Sequence, residues 1–159
     1  MYRCPGQATG RKRATGEARP LGLDIRRYRP GDRAAATRLW EECGLMVPWN
    51  DAGVDADKKY GFQPELFLVG LADGELAATV MAGYDGHRGW LNYLAVAERH
   101  RGSGFGRKMV ERAESELKKL GCLKINIQIR PGNEGVVEFY RALGYDTEEL
   151  VDMGKFIDI

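Results

Sequence analysis

The sequence predicts an α/β fold in which helices flank a mixed, mostly antiparallel central sheet. Between residues 65 and 97, apolar runs of strand length are separated by Asp-Gly turn signals. A helix-like repeat of apolar residues over 104–120 then leads to another apolar run at 122–129. A chain of 159 residues, 43% of them hydrophobic, can bury a core of its own, so we expect one domain over 23–159.

The first part of this domain is predicted to hold a strand and a helix before a loop. LDIRRY (23–28) has the pattern of a short edge strand. The Pro-Gly-Asp turn that follows leads into a helix over 32–43, which carries a single apolar stripe. Residues 46–53 are predicted as a loop, and 54–62 as at most a short helix.

Three strands are predicted next, as an antiparallel meander over 65–72, 75–85 and 89–97. Asp73-Gly74 between the first two is the strongest short hairpin signal that a sequence can carry, because both residues tolerate positive φ. Asp85-Gly86 gives a second reversal before the third strand.

The last part of the chain is predicted to alternate helices and strands. The helix over 104–120 must connect the strand 89–97 to a strand at 122–129, and a parallel pair would need a right-handed crossover. A helix over 133–143 follows, with Asn133 in its N-cap position. Two more short strands are expected around Met153-Gly154.

Charge and cysteine content exclude several classes of protein. A net charge of +1 predicts no general attraction to nucleic acid or to an acidic membrane surface. Three cysteines without metal-type spacing indicate neither a disulfide framework nor a metal site, and they favour a reducing cytoplasm. No apolar run approaches the roughly 18 residues that a membrane span needs, so we expect no membrane association.

Residues 1–22 differ from the rest because their charges are mostly basic. Their Gly, Pro, Arg and Thr content predicts a disordered tail. Two alternatives are an over-long assignment of the start site and a basic arm that binds nucleic acid.

The stretch RGSGFG (101–106) lies where a strand meets a helix, and it predicts an anion site. The first turn of a helix offers unpaired N–H groups and the positive end of the helix dipole. Glycines let the backbone approach a ligand closely, and Arg101 and Arg107 add positive charge, so a phosphate or pyrophosphate fits. The spacing matches neither a Walker loop nor a dinucleotide fingerprint. Alternatively, the glycines serve only the turn and close packing.

The context of this stretch resembles a known family. Arg-x-x-Gly-x-Gly after LAVAERH and before GRKMVERAESEL resembles motif A of the GNAT superfamily of acyl-CoA-dependent N-acyltransferases. NEGVVEFYRALGY resembles the second signature of that superfamily, and the predicted order of elements matches over 23–152. Within the superfamily, VPWND, VMAGYDGHRG and RALGY look most like the bacterial YpeA-type acetyltransferases.

The resemblance implies acetyl-CoA as co-substrate, no metal, and direct transfer of an acetyl group to an amine. The backbone of Leu94, Ala95 and Val96 would pair with the pantetheine amides. The implied cradle for the pyrophosphate consists of Arg101, Gly102, Ser103, Gly104, Phe105, Gly106 and Arg107. Asn133 matches a residue that contacts the cofactor, although a plain N-cap explains it as well. Tyr140 matches the general acid that protonates the departing thiolate, with packing as its alternative role.

The general base and the acceptor are less defined. Some members of the superfamily place a glutamate in the strand that corresponds to GWLNYLAV, which contains no carboxylate here. The candidate bases are Asp51, Asp85, Glu98 and, through a water, Tyr93. The candidate acceptor-binding residues are Trp49, Asn50, Asp51 and Asp85, although Trp49 would alternatively close the core. Small-molecule amines and protein amines both stay open as acceptors. The sequence also leaves open whether the chain forms a homodimer. A second candidate function is an inactive domain that binds CoA as a sensor or scaffold.

Overall fold

The computed structural model describes residues 22–157, and a five-stranded sheet runs through them. In the order in which they pair, its strands are β1 (Asp24–Arg27), β2 (Phe67–Ala72), β3 (Glu75–Tyr84), β4 (Gly89–Val96) and β5 (Ile125–Asn126). The first four strands pair antiparallel, and β4 and β5 pair parallel. The predicted mixed, mostly antiparallel sheet is therefore confirmed. The predicted N-terminal tail, apart from Gly22, lies outside the described residues.

Helices cover both faces of this sheet. They are α1 (Arg33–Glu42), α2 (Ala52–Gly61), α3 (Phe105–Lys119) and α4 (Glu134–Arg141), and single 3₁₀ turns occupy Pro30–Asp32, Pro64–Leu66 and Glu98–His100. Neighbouring side chains in a strand point to opposite faces, so β2 buries Phe67 with α1 and α2, and Leu68 with α3 and α4. Among the residues 22–157, no helix is long and apolar enough to cross a membrane.

The turn and periodicity signals in the sequence predicted most of these helices and strands correctly. The meander forms as predicted, and both residues of its first turn have positive φ, 50° at Asp73 and 82° at Gly74. Helix α2 is longer than expected and starts before residue 54. The cause is Asp51, whose carboxylate accepts the N–H of Val54 at 2.9 Å and caps the new helix two residues earlier.

The C-terminal part corrects two predictions. The strand predicted over 122–129 is only two residues long, because β5 pairs with β4 through Gly89 and Trp90 alone. The two strands expected after residue 144 do not form within 145–157. Large apolar side chains of that segment are 76–89% exposed, namely Leu150, Val151, Met153, Phe156 and Ile157. Alternating apolar residues form a strand only where their apolar side is buried against a sheet. Within the described residues 22–157, no sheet buries the apolar side chains of this segment.

An extra residue in β4 breaks its register with β3. Thr79 lies opposite Ala95, whereas Met81 lies opposite Asn92, so three steps along β4 match two along β3. This is a β-bulge, and Tyr93 within it has a φ of 50°. The buried hydroxyl of Thr79 donates to the carbonyl of Tyr93 at 2.9 Å. It also accepts the indole N–H of Trp40 at 2.8 Å, which ties the bulge to α1.

Replacing Thr79 by valine tests this arrangement. Valine keeps the shape of threonine but leaves the buried Trp40 N–H and the Tyr93 carbonyl without their partner, so we expect the free energy of unfolding to fall by about 1–3 kcal/mol. Thr79→Ser is the matched control, since it keeps the hydroxyl. Urea denaturation measures both variants. A valine variant at least as stable as the serine variant would contradict the role assigned to the hydroxyl.

Candidate active site

The edge of β4 that faces β5 is open over most of its length. Beyond Trp90, no described residue pairs with this edge as a strand. Ala97 donates its N–H to the carbonyl of Ala77 on the other side, at 2.8 Å. Because antiparallel pairs alternate, the peptide groups of Ala95 point toward β3 and those of Val96 toward the open edge. The edge can therefore accept an extended ligand that carries amide groups.

The turn between β4 and α3 depends on two of its glycines for backbone conformation. Gly102 and Gly104 have φ values of 75° and 83°, which other residues rarely adopt. Gly106 has a different reason, because a Cβ there would lie 3.2 Å from ring carbons of Phe139 on α4. The three glycines thus shape the turn and let α4 pack against the first turn of α3.

The start of α3 presents unpaired backbone donors. No described side chain caps the helix, and the first of its N–H groups to find a backbone acceptor is that of Lys108, which donates to Gly104 at 3.1 Å. Within residues 22–157, no acceptor is found for the N–H groups of Gly104, Phe105, Gly106 and Arg107. Such a row of donors at the positive end of a helix dipole is suited to a phosphate group.

Side chains link this anion site to the end of β4. Arg101 donates from Nε to the carbonyl of Val96 at 3.3 Å, so its guanidinium lies between the two features. Arg107 donates to the carbonyl of Ala142 at 3.3 Å, just after α4. Ser103 donates its hydroxyl to the carbonyl of His100, which closes the turn. The phenyl ring of Phe105 is buried, and only its backbone is available to a ligand.

Tyr140 is buried on α4, and its hydroxyl has no hydrogen-bond partner in the part of the chain that the structure describes. Its ring is 5% exposed and packs edge-on against Phe139 and Tyr145, with centroids 5.0 and 5.4 Å away. Burial raises the pKa of Tyr140 well above its ordinary value, so the phenol stays protonated at neutral pH. Its hydroxyl bonds to no described residue and is not sealed from solvent. It shares an apolar cluster with Leu94 and Val96 of β4. Tyr140 therefore packs in the core and also offers a proton.

Asn133 occupies the N-cap position of α4 without capping it through its side chain. Its backbone carbonyl accepts the N–H groups of Val136 and Val137, at 3.1 and 3.2 Å. Capping therefore makes no use of the side-chain amide, which leaves that amide available to a ligand.

The carboxylates predicted near the acceptor have structural partners. Asp51 caps α2. Asp85 accepts the N–H groups of His87 and Arg88 at 2.7 and 2.6 Å, and the indole N–H of Trp90 at 3.3 Å. These hydrogen bonds lower the pKa of Asp85, which makes it a poor base. Glu98 is exposed on its 3₁₀ turn.

Asp55, which the sequence did not indicate, lies beside the bulge together with Tyr93 and Asn50. The hydroxyl of Tyr93 donates to Asp55 of α2 at 2.5 Å, and the side chain of Asn50 donates to that hydroxyl at 3.4 Å. Burial and the neighbouring carboxylate raise the pKa of Tyr93 to about 12. Trp49 does not close the core as one alternative held, because it is 66% exposed and meets Phe156 edge-on at 6.4 Å. Asp55 lies one helical turn after Asp51, which caps α2. This spacing gives no sign in the sequence that Tyr93 is the hydrogen-bond partner of Asp55.

Two further observations limit where chemistry takes place. Within the described range 22–157, no three or more His, Cys, Asp and Glu side chains are grouped as a metal site would need. A cavity of about 1200 Å³ opens between β5 and residues 145–152, and none of the predicted site residues lines it. The candidate site is therefore the open edge of β4 together with the start of α3.

Comparisons with known proteins agree with this geometry. Residues 33–145 match the acetyltransferase (GNAT) family. An acetyltransferase of Yersinia pestis (strain Pestoides F) is 41% identical over 133 residues, which cover 84% of this chain and 94% of the relative. Ard1 from Thermoplasma volcanium has a TM-score of 0.69 at 21% identity, over 77% of this chain and 81% of that one. The aminoglycoside N-acetyltransferase AAC(6')-Iy in complex with CoA has a TM-score of 0.70 at 17% identity, over 87% and 97%. At these low identities, the two structures show a shared fold.

Proposed function

This chain belongs to the acetyltransferase (GNAT) family, and on that premise we propose that it transfers an acetyl group from acetyl-CoA to the nitrogen of an amine. The match to this family confirms the resemblance that the two motifs indicated. The narrower YpeA-type grouping and a cytoplasmic location stay predictions.

One observation carries the proposal, namely that the open edge of β4 and the anion site at α3 are joined. Arg101 bonds to the carbonyl of Val96, the last residue of the strand, so an extended ligand along β4 would end at the unpaired N–H groups of α3. Acetyl-CoA has this form, because its pantetheine arm carries amides and leads to a pyrophosphate. Leu94 and Val96 would hold the arm, and residues 101–107 the pyrophosphate, whereas the peptide groups of Ala95 point toward β3 and would add no hydrogen bond to the arm. The free amide of Asn133 would add a contact from the start of α4.

Acetyl-CoA supplies an activated acetyl thioester, and the described residues supply proton control. The Tyr140 phenol, protonated at neutral pH and without an acceptor among residues 22–157, donates a proton to the departing thiolate. The amine must be neutral to attack, and burial beside the apolar cluster that holds Leu94, Val96 and Tyr140 lowers its pKa because desolvation disfavours the charged form. Asp51 and Asp85 do not act as bases, since structural hydrogen bonds occupy them. The free hydroxyl of Tyr140 favours a catalyst over an inactive scaffold.

The anion site can be tested by a change in one turn glycine. We expect acetyl-CoA to raise the melting temperature of the wild type by mass action. Gly104→Ala strains a φ of 83° and shifts the N–H groups that face the pyrophosphate, so acetyl-CoA affinity should fall at least about tenfold. Gly121→Ala is the matched control, because it strains a φ of 82° at the far end of α3 and should keep the wild-type affinity. No shift of the wild type at millimolar acetyl-CoA would contradict the proposal.

The role of Tyr140 is tested by removal of its hydroxyl. Tyr140→Phe keeps the buried ring and loses the proton donor, so kcat should fall by about a hundredfold or more while the Kd of acetyl-CoA changes little. The matched control is Tyr145→Phe. That substitution removes a hydroxyl bonded to Glu114, from a ring packed against Tyr140, and should leave kcat within about threefold. Steady-state release of CoA measures kcat, and calorimetric titration measures Kd. Equal turnover in Tyr140→Phe and the wild type would remove Tyr140 from the mechanism.

A further inference from the structure

The carboxylate of Asp55 has no cationic partner in the described part of the chain. No nitrogen of a Lys, Arg or His side chain in residues 22–157 lies within 4.0 Å of it, whereas the neighbouring Asp57 pairs with Arg33 at 3.1 Å. Its partner is the phenol of Tyr93. The carboxylate is half-buried beside the aromatic side chains of the core, and this phenol is its one hydrogen-bond partner among residues 22–157. A cation would complete this site.

The surroundings of Asp55 favour an organic ammonium group. Asn50 reaches the same phenol oxygen, and next to it the exposed indole of Trp49 meets Phe156. A carboxylate on a phenol that also contacts Asn50, with the exposed indole of Trp49 on the preceding residue of the chain, is a combination suited to ammonium groups with an apolar stem. A single carboxylate lacks the set of oxygen ligands that Ca²⁺ or Mg²⁺ requires.

The position of Asp55 indicates which ammonium group it would bind. Tyr93 belongs to the bulge of β4, and its side chain stands between the strand and Asp55. The carboxylate is thus one tyrosine side chain away from the strand along which transfer is proposed. The carboxylate already accepts the Tyr93 hydroxyl at 2.5 Å, so a structural hydrogen bond occupies Asp55 as it does Asp51 and Asp85, and Asp55 is not assigned to the proton of the reacting nitrogen. Asp55 therefore suits a charge elsewhere on the acceptor.

We propose that the acceptor carries a second cationic group besides the nitrogen that is acetylated, as a diamine or polyamine does, and that Asp55 binds this second group. The inference rests on the proposed function, because it takes β4 as the place of transfer. Tyr93 and Asn50 position the carboxylate, and the ring of Trp49 covers the stem of the acceptor. Asp55 is a specificity-determining residue and takes no part in bond formation.

A comparison of matched amines tests the proposal. We expect kcat/KM of the wild type for 1,4-diaminobutane to exceed that for butylamine by about tenfold or more, with the difference in KM. Asp55→Asn should bring this ratio close to one. Asp57→Asn removes the same charge from α2 two residues away, at an exposed ion pair, and should keep the wild-type ratio. Release of CoA at saturating acetyl-CoA gives both constants, and thermal melting confirms that each variant is folded.

The outcomes separate this inference from the function on which it rests. Equal efficiency of the wild type on the two amines would overturn the inference. So would a preference retained in Asp55→Asn, a preference lost equally in Asp57→Asn, or acetyl-CoA binding without acetylation of any diamine of three to six carbons. Failure of acetyl-CoA to stabilise the wild type would instead contradict the proposed function.

Discussion

The hydroxyl of Thr79 is the interaction on which the rest of the site depends. It accepts from Trp40 and donates to the carbonyl of Tyr93, so it fixes an extra residue in the middle of β4. An extra residue changes which face of the sheet each later side chain meets. As a result Tyr93 packs with α1 and α2, whereas Leu94 and Val96 pack with α3 and α4. Without the bulge, these side chains would exchange faces.

The end of β4 and its bulge also attract ligands of opposite charge. At one end the strand leads to unpaired N–H groups and Arg101, which favour a negative ligand. Beside the bulge lies the carboxylate of Asp55, which favours a positive one. Under the proposed function, the phosphates of acetyl-CoA are attracted to the end of this strand and the charge of the acceptor to its bulge, and the reacting atoms meet between them. The buried phenol of Tyr140, on the other face of the sheet, supplies the proton.

The sequence predicted those features that depend on nearby residues. The Asp73-Gly74 turn, the apolar stripe of α3 and the glycine turn before it follow from local chemistry, and each forms as expected. The bulge was not predicted from GWLNYLAV, because its positive φ falls on Tyr93, a bulky residue that does not signal a turn, and because it depends on side chains of β3 and α1. Asp55 was missed for a related reason, since its partner is 38 residues away. The strands predicted after residue 144 failed because their alternation meets no sheet edge.

Hydrogen exchange of backbone amides, followed by NMR with and without CoA, tests the central claim that the open edge of β4 and the start of α3 form one cofactor site. The account predicts that CoA slows exchange at Val96 and at the four N–H groups of residues 104–107, while the amides between β1 and β2 keep their rates. Protection confined to the cavity beside β5, with no change at Val96 or in residues 104–107, would contradict it.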